Sequence, residues 1–305
     1  MSILVLGSLN MDLVARVARL PKPGETLLGQ SFETIPGGKG ANQAVAAAKL
    51  GAPTQLIGRV GTDGFGETLR QALKTAGVTV DAVTPDRDTP SGVALIAVAQ
   101  TGENQIMVVP GANHRVGQAE LSALSAQLSG AQALLLQFEI PHETVAAAAK
   151  LAHQANVTVI VDPAPAGLPL SPDFCAHIDI LTPNQVEASQ LVGFEVCDRK
   201  SAAQAAQQLR QQGIGTVIVK LGSQGVVVDT LATCFDIPAF PVEVADTVAA
   251  GDAFNGGLAA ALAEGQPIKD AVTFASAVAA LSVTRPGAQP SMPTRSEVNQ
   301  FLSQA

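Results

Sequence analysis

The run Val244–Gly257, VADTVAAGDAFNGG, joins a small, flexible segment to the start of a helix. Ala249, Ala250 and Gly251 carry almost no side chain, and after Asp252 the apolar residues Phe254, Leu258, Ala261 and Leu262 recur at helical spacing. A helix starting near Gly251 leaves its first N–H groups without partners, and with the helix dipole they form a site for an anion. Small residues let a phosphate approach that backbone closely. A carboxylate at the same place, Asp252, suits an anion site if it accepts a proton from the group that attacks the phosphate. The plainer alternative is a first-turn acid that complements the helix dipole.

The elements that position such a site need a large core, and 305 residues with 47% hydrophobic content supply one, as one large or two medium domains. The net charge of −8 and the lack of any Lys/Arg run argue against nucleic-acid binding. Aromatics are only 3%, with no Trp or Tyr, so ring stacking is not the main way a ligand is held. Cys175, Cys197 and Cys234 are odd in number and far apart, which suits a reducing compartment, and the histidines are scattered, so no zinc site is expected. No basic segment precedes Ile3-Leu4-Val5-Leu6 and no apolar run reaches membrane-spanning length. The expectation is a cytoplasmic protein without a membrane segment.

Ile3–Leu6 reads as the first strand, with Asn10 and Asp12 just beyond its end, where ligands bind in open α/β sheets. Asp12–Val17 and Thr26–Phe32 have strand character, and Ser91–Ala99 with Gln105–Val109 reads as a hairpin. Together they predict a small inserted sheet, a lid over segments 13–36 and 90–111 of a single 1–305 domain. Gly37-Gly38-Lys39-Gly40-Ala41-Asn42 leads into an Ala-rich helix, Gln43–Leu50; it lacks P-loop spacing. Strands are predicted at Gln55–Val60, Ala133–Gln137, Val157–Val161, Ile178–Leu181, Thr216–Lys220 and Val226–Asp229, the last two as a hairpin. Predicted helices are Phe65–Ala76, Gln118–Leu128, Glu143–Gln154, Gln185–Leu191, Ala202–Gln211, Asp252–Ala263, Lys269–Val283 and Arg295–Leu302. The alternation gives an α/β fold with a mostly parallel central sheet covered by helices on both faces. Polar groups stand where its strands end: Glu139, Asp162, Asn184 with Glu187, and Gly222-Ser223-Gln224-Gly225.

In this order, Gly37–Asn42, Asn184-x-x-Glu187, Lys220–Gly225 and Asp246-Thr247-Val248-Ala249-Ala250-Gly251-Asp252 closely resemble the signatures of the ribokinase, or phosphofructokinase-B, family of carbohydrate kinases. The resemblance spans nearly the whole chain. It implies ATP-dependent phosphorylation of D-ribose at O5, with a β-sheet lid that pairs two subunits as a homodimer. It implies that Asn10, Asp12, Gly38, Lys39, Asn42, Glu139 and Asp252 bind the sugar. Asp252 is then the catalytic base, and Ala249, Ala250 and Gly251 form the anion hole. Asn184, Lys220, Gly222, Ser223, Gly225, Gly251, Asp252 and Ser276 match nucleotide-contacting positions. Glu187 matches the residue that organises Mg²⁺ through water. Asp246, Val248, Ser282, Arg285, Gly287 and Ser291 match a K⁺ site built mostly of backbone carbonyls. Ser276 and Lys220 stand where some relatives carry Asn and Thr, so the departures lie on the nucleotide side.

The nearest alternative is another kinase of this family, with a deoxyribose, fructose-type or nucleoside acceptor; the lack of Trp and Tyr speaks against a nucleoside. A nicotinamide oxidoreductase lacks support, because Gly7 is followed by Ser8-Leu9-Asn10 rather than GxGxxG. An intact Asp252 with its anion hole argues against a silent sugar sensor.

Overall fold

The computed structural model describes residues 2–167 and 169–304. In chain order the elements are β1 (Ser2–Leu6), β2 (Asn10–Val17), β3 (Ser31–Gly37), α1 (Lys39–Lys49), β4 (Thr54–Gly61), α2 (Gly64–Thr75), β5 (Thr79–Asp86), β6 (Gly92–Ala99), β7 (Asn104–Val109), α3 (Gln118–Ser125), β8 (Ala131–Gln137), α4 (His142–Gln154) and β9 (Thr158–Asp162). The second half runs α5 (Pro172–Cys175), β10 (Ile180–Leu181), α6 (Gln185–Val192), α7 (Arg199–Arg210), β11 (Thr216–Lys220), β12 (Val226–Asp229), β13 (Cys234–Ile237), α8 (Ala250–Ala263), α9 (Ile268–Ser282) and α10 (Arg295–Leu302).

Nine strands form the main sheet in the order β13-β12-β11-β10-β9-β8-β1-β4-β5. All neighbours from β11 to β5 are parallel, and β12 and β13 extend the other edge antiparallel. Side chains alternate between two cores. Ile3, Val5, Ala133, Leu135 and Ile160 face one, under α1, α2, α8, α9 and α10. Leu4, Leu6, Leu134, Leu136, Val159 and Val161 face the other, under α3 to α7. A sheet buried on both faces explains the uninterrupted apolar runs of β1, β8 and β9.

The second sheet has four strands in the order β3-β2-β6-β7, with antiparallel outer pairs and a parallel central pair. Its β3 runs Ser31–Gly37 and overlaps the expected Thr26–Phe32 run only at Ser31 and Phe32, because pairing with β2 (Asn10 opposite Gly37, Arg16 opposite Ser31) sets the register. The intervening chain turns instead, with Glu25 N–H donating to Lys22 O at 3.0 Å. Two edge strands had no expectation. The β5 run TVDAVTPD mixes exposed and buried positions and contains Pro85, and β13 has only four residues, so neither carries a core-strand pattern.

The C-terminal ends of β1, β8, β9, β10 and β11 open on one edge. Helices α1 and α8 close over it in tight contact. A Cβ on Gly256 would stand 2.5 Å from the Ala46 Cβ and 2.8 Å from Gln43 O, so only glycine lets the two helices approach this far.

Candidate active site

From β1 the chain passes through Gly7, Ser8 and Leu9 directly into β2, so Asn10 and Asp12 lie on the small sheet rather than in a loop. Glu139, just after β8, gathers this corner: its Oε2 accepts from Ser8 Oγ, from the Lys39 N–H at 3.1 Å and from Asn10 Nδ2 at 3.4 Å. Asn113 pins the same turn. Its Oδ1 accepts from Leu9 N–H (2.9 Å), while its Nδ2 donates to Leu9 O (3.0 Å) and Asn10 Oδ1 (2.8 Å). Gly38 turns β3 into α1 at φ 91, and a Cβ there would lie 2.6 Å from Asn10 N. Helix α1 starts at Lys39, earlier than the expected Gln43. Glycine-rich sequence is a poor helix former, but Ala41 N–H donates to Ser8 O at 2.9 Å and anchors the first turn to the sheet edge. Lys39 and Asn42 therefore project from the first helical turn.

Helix α8 starts at Ala250, so Asp252 is its third residue. Ala249 precedes it at φ 58, a left-handed conformation rare for alanine, and offers no side-chain cap. Val248 N–H donates to Asp246 Oδ1 (3.0 Å) and Ala250 N–H to Thr247 O (3.3 Å). The N–H groups of Ala249, Gly251 and Asp252 have no partner among the described residues. Of the residues expected to form an anion hole, Ala249 and Gly251 have such N–H groups, as does Asp252, whereas the Ala250 N–H is turned into its own bend.

The Asp252 side chain does not cap its helix. Its Oδ2 accepts from Asn42 Nδ2 (3.0 Å) and its Oδ1 from Gln43 Nε2 (3.1 Å), both on α1. Burial pushes its pKa up to about 6; Lys39 opposes that, Asp162 adds to it, and the Asn42 and Gln43 hydrogen bonds hold it down. Burial, then Glu139 and Asp252, raise Asp12 to about 7. Burial works against the Lys39 ammonium, yet Asp252, Asp162, Glu139 and Glu187 together hold it above its ordinary value. The seven residues expected to bind the sugar thus gather at one corner of the sheet edge as a set of fixed donors and acceptors, a set suited to a small polyol.

On the nucleotide side, Lys220 Nζ pairs with Asp162 Oδ1 at 3.1 Å. A Cβ built on Gly251 would be 3.3 Å from that Nζ, so the ammonium stands beside the start of α8. Asn184 and Glu187 form a capping box at α6: Glu187 N–H donates to Asn184 Oδ1 (2.9 Å) and Asn184 N–H to Glu187 Oε2 (2.8 Å). Glu187 is nonetheless buried and its carboxyl is raised, by burial first and then by Asp162. Gly222 and Ser223 lie in an exposed single turn closed by Gly225, which has φ 92. Ser276 Oγ is buried with no partner.

The residues matched to a K⁺ site also converge. Asp246 Oδ2 accepts from Gly287 N–H (2.9 Å), and Asp246 N–H donates to Val283 O (3.2 Å). The Ser282 and Ser291 hydroxyls donate to Ala279 O and Ala288 O, and the Arg285 guanidinium pairs with Glu297. The Arg285 guanidinium has no lone pair to offer a cation, so at that position only the backbone carbonyl could serve.

Three contributors had no assigned role in the sequence. Asp162 was visible as a polar residue closing an apolar strand. Gln43 read only as the start of a helix, and Asn113 gave no signal.

Residues 1–295 match the pfkB family of carbohydrate kinases. The chain is 45% identical over 303 residues to a ribokinase of Bacillus subtilis, covering 99% of each chain. It is 43% identical over 301 residues to a ribokinase of Haemophilus influenzae, covering 99% of this chain and 98% of that one. A structure of Arabidopsis thaliana ribokinase complexed with ribose and ATP superposes with a TM-score of 0.91 at 35% identity, covering 99% of this chain and 98% of that one. With a family match over nearly its whole length, and relatives this similar from end to end, the chain belongs to the pfkB family of carbohydrate kinases, which transfer a phosphoryl group to an alcohol.

Proposed function

We propose that the protein phosphorylates D-ribose at O5 with ATP. One observation carries the chemistry: a buried carboxylate, Asp252, sits on the same helix turn as unpartnered N–H groups and turns away from them. Asp252 takes the proton of the primary hydroxyl as its oxygen attacks the γ-phosphorus, and ADP leaves. The N–H groups of Ala249, Gly251 and Asp252 receive the charge on the transferring phosphoryl oxygens. Asn10, Asp12, Gly38, Lys39, Asn42 and Glu139 hold the sugar hydroxyls. Asn184, Lys220, Gly222, Ser223, Gly225 and Ser276 line the nucleotide side. The choice of ribose rests on the likeness to ribokinases over full length.

An ATP-using kinase of this family works with a divalent cation, which neutralises phosphate charge when bound. The donor set fits Mg²⁺, which is held by one or two carboxylates together with phosphates and water. Glu187, its carboxyl raised first by burial and then by nearby Asp162, supplies such a pair together with Asp162. Carbonyls around Asp246, Val248, Ser282, Arg285, Gly287 and Ser291 hold K⁺. The small sheet, from segments 13–36 and 90–111 of a single domain, serves as a lid and pairs two subunits. Its β7 is exposed along its whole length, including Ile106 and Met107. No helix among the described residues is long and apolar enough to cross a membrane, and we place the protein in the cytoplasm.

An ADP-release assay against pentoses and hexoses, with the product read by phosphorus NMR, tests the reading. Ribose should turn over best, with phosphate on O5. No turnover of ribose, or phosphate at another position, overturns it.

A further inference from the structure

Gln43 is fully buried between two carboxylates that belong to different elements. Its Nε2 donates to Asp252 Oδ1 on α8 (3.1 Å) and to Asp162 Oδ2 at the end of β9 (3.1 Å). Its Oε1 accepts from Nε2 of Gln137, also fully buried, at 2.7 Å. That last bond fixes which way the amide faces. With Oε1 committed to a donor, both amide hydrogens must point at the carboxylates. Each carboxylate therefore receives one hydrogen, and no proton has to be shared between them.

We infer that Gln43, oriented by Gln137, is a positioning residue for phosphoryl transfer: it holds Asp252 ionised and aimed, and bridges it to Asp162 with one hydrogen bond to each. This rests on Asp252 acting as the base. The groups facing Asp252 are Asn42, Gln43 and Lys39 on α1, Asp162 on β9 and Asp12 on β2; Glu139, Glu187 and Lys220 ring these. Lys39 favours the ionised base, while Asp162 and Asp12 oppose it. Among the described residues the neutral donors to the carboxylate are Asn42 and Gln43, and Asn42 is also assigned to the sugar. Gln43 is not among the residues assigned to the sugar, and its partners are Asp252, Asp162 and Gln137. Its second hydrogen, through Asp162, reaches Lys220 beside the start of α8. Base and phosphate cation are thus registered through one amide.

Two variants test this with pH–rate profiles. Gln43→Met removes both donors at similar volume. Gln137→Met leaves Gln43 in place and removes the donor to its Oε1, loosening the amide. Gln43→Met should lower kcat roughly 10- to 100-fold near neutral pH, the range for one lost hydrogen bond to a charged group. The acid limb of kcat should move to higher pH, with KM for ribose and ATP within about twofold of the parent. Gln137→Met should shift the limb in the same direction by less. A superimposable profile, or a loss confined to KM, overturns the inference. If Gln43→Met does not fold, an unshifted limb in Gln137→Met overturns it alone. Asp252→Asn is run alongside: retained turnover there rejects the base itself, whereas its loss beside an unshifted Gln43→Met limb rejects only the role of Gln43.

Discussion

Asn42 Nδ2 lies 3.0 Å from Asp252 Oδ2 although 210 residues separate them, and Gln43 takes the other oxygen of the same carboxylate. Both donors come from the first turns of α1, and the acceptor from the first turn of α8. A first-turn acid that only complements its own helix dipole has no need of such partners. Asp252→Asn should therefore keep the fold and lower kcat by roughly 10²–10⁴-fold, the usual contribution of a general base. Kinetics beside a thermal melt check this. A change confined to KM would make Asp252 a sugar ligand only.

The pH dependence follows from two raised carboxyls. A base must be ionised to accept a proton, so turnover rises with pH through the Asp252 pKa of about 6. Asp12 must be ionised to accept from sugar hydroxyls, and its pKa is about 7. Because these two carboxyls repel each other, the free enzyme titrates them as a pair. The acid limb of kcat/KM for ribose should fall more steeply than one ionisation allows, and kcat should hold to lower pH. Rates from pH 5 to 9 check it; a profile flat to pH 5 removes both assignments.

Glu187→Gln separates cap from cation. A glutamine Oε1 can still accept from the Asn184 N–H and complete the box, losing only the second bond, from Asn184 Nδ2, so the fold should hold. The charge is gone, so the Mg²⁺ concentration for half-maximal rate should rise while ribose affinity stays the same. A fall in ribose affinity with unchanged Mg²⁺ dependence would contradict the assignment.

Potassium should activate without touching either substrate. The Asp246 carboxylate already ties Val248 to Gly287, directly beside the strained Ala249. An ion held by those loops would fix the geometry of the anion hole. Rates in buffer free of sodium and potassium, then with potassium added, decide this; equal rates sink the idea.

The small sheet should mediate a dimer. Phe32 is 64% exposed and Ile106 55%, on the two edge strands β3 and β7. Ile106→Glu should shift the mass by light scattering from two chains towards one. A parent protein that is monomeric at working concentration would count against the lid pairing.

The sequence by itself was enough for the α/β class, the hairpin of β11 and β12, most helices, and the resemblance that names the reaction. Apolar periodicity and strand–helix alternation are local signals, and β1, β8 and β9 carry them strongly because both their faces are buried. The edge strand β5, the register of β3 and the start of α1 at Lys39 were decided by pairing and packing, which local propensity does not contain. The same holds for the site. Asp252 was legible from the small residues before it, but not the direction its side chain takes. Gln43 looked like any helix residue, Asn113 like any loop residue, and Asp162 like a strand end. Only tertiary contacts give them partners: α8 closing on α1 joins Gln43 to Asp252, the end of β9 brings Asp162 to Gln43, and the turn before β2 receives Asn113; these hydrogen bonds span 94 to 210 residues of chain, and no window of sequence holds both ends.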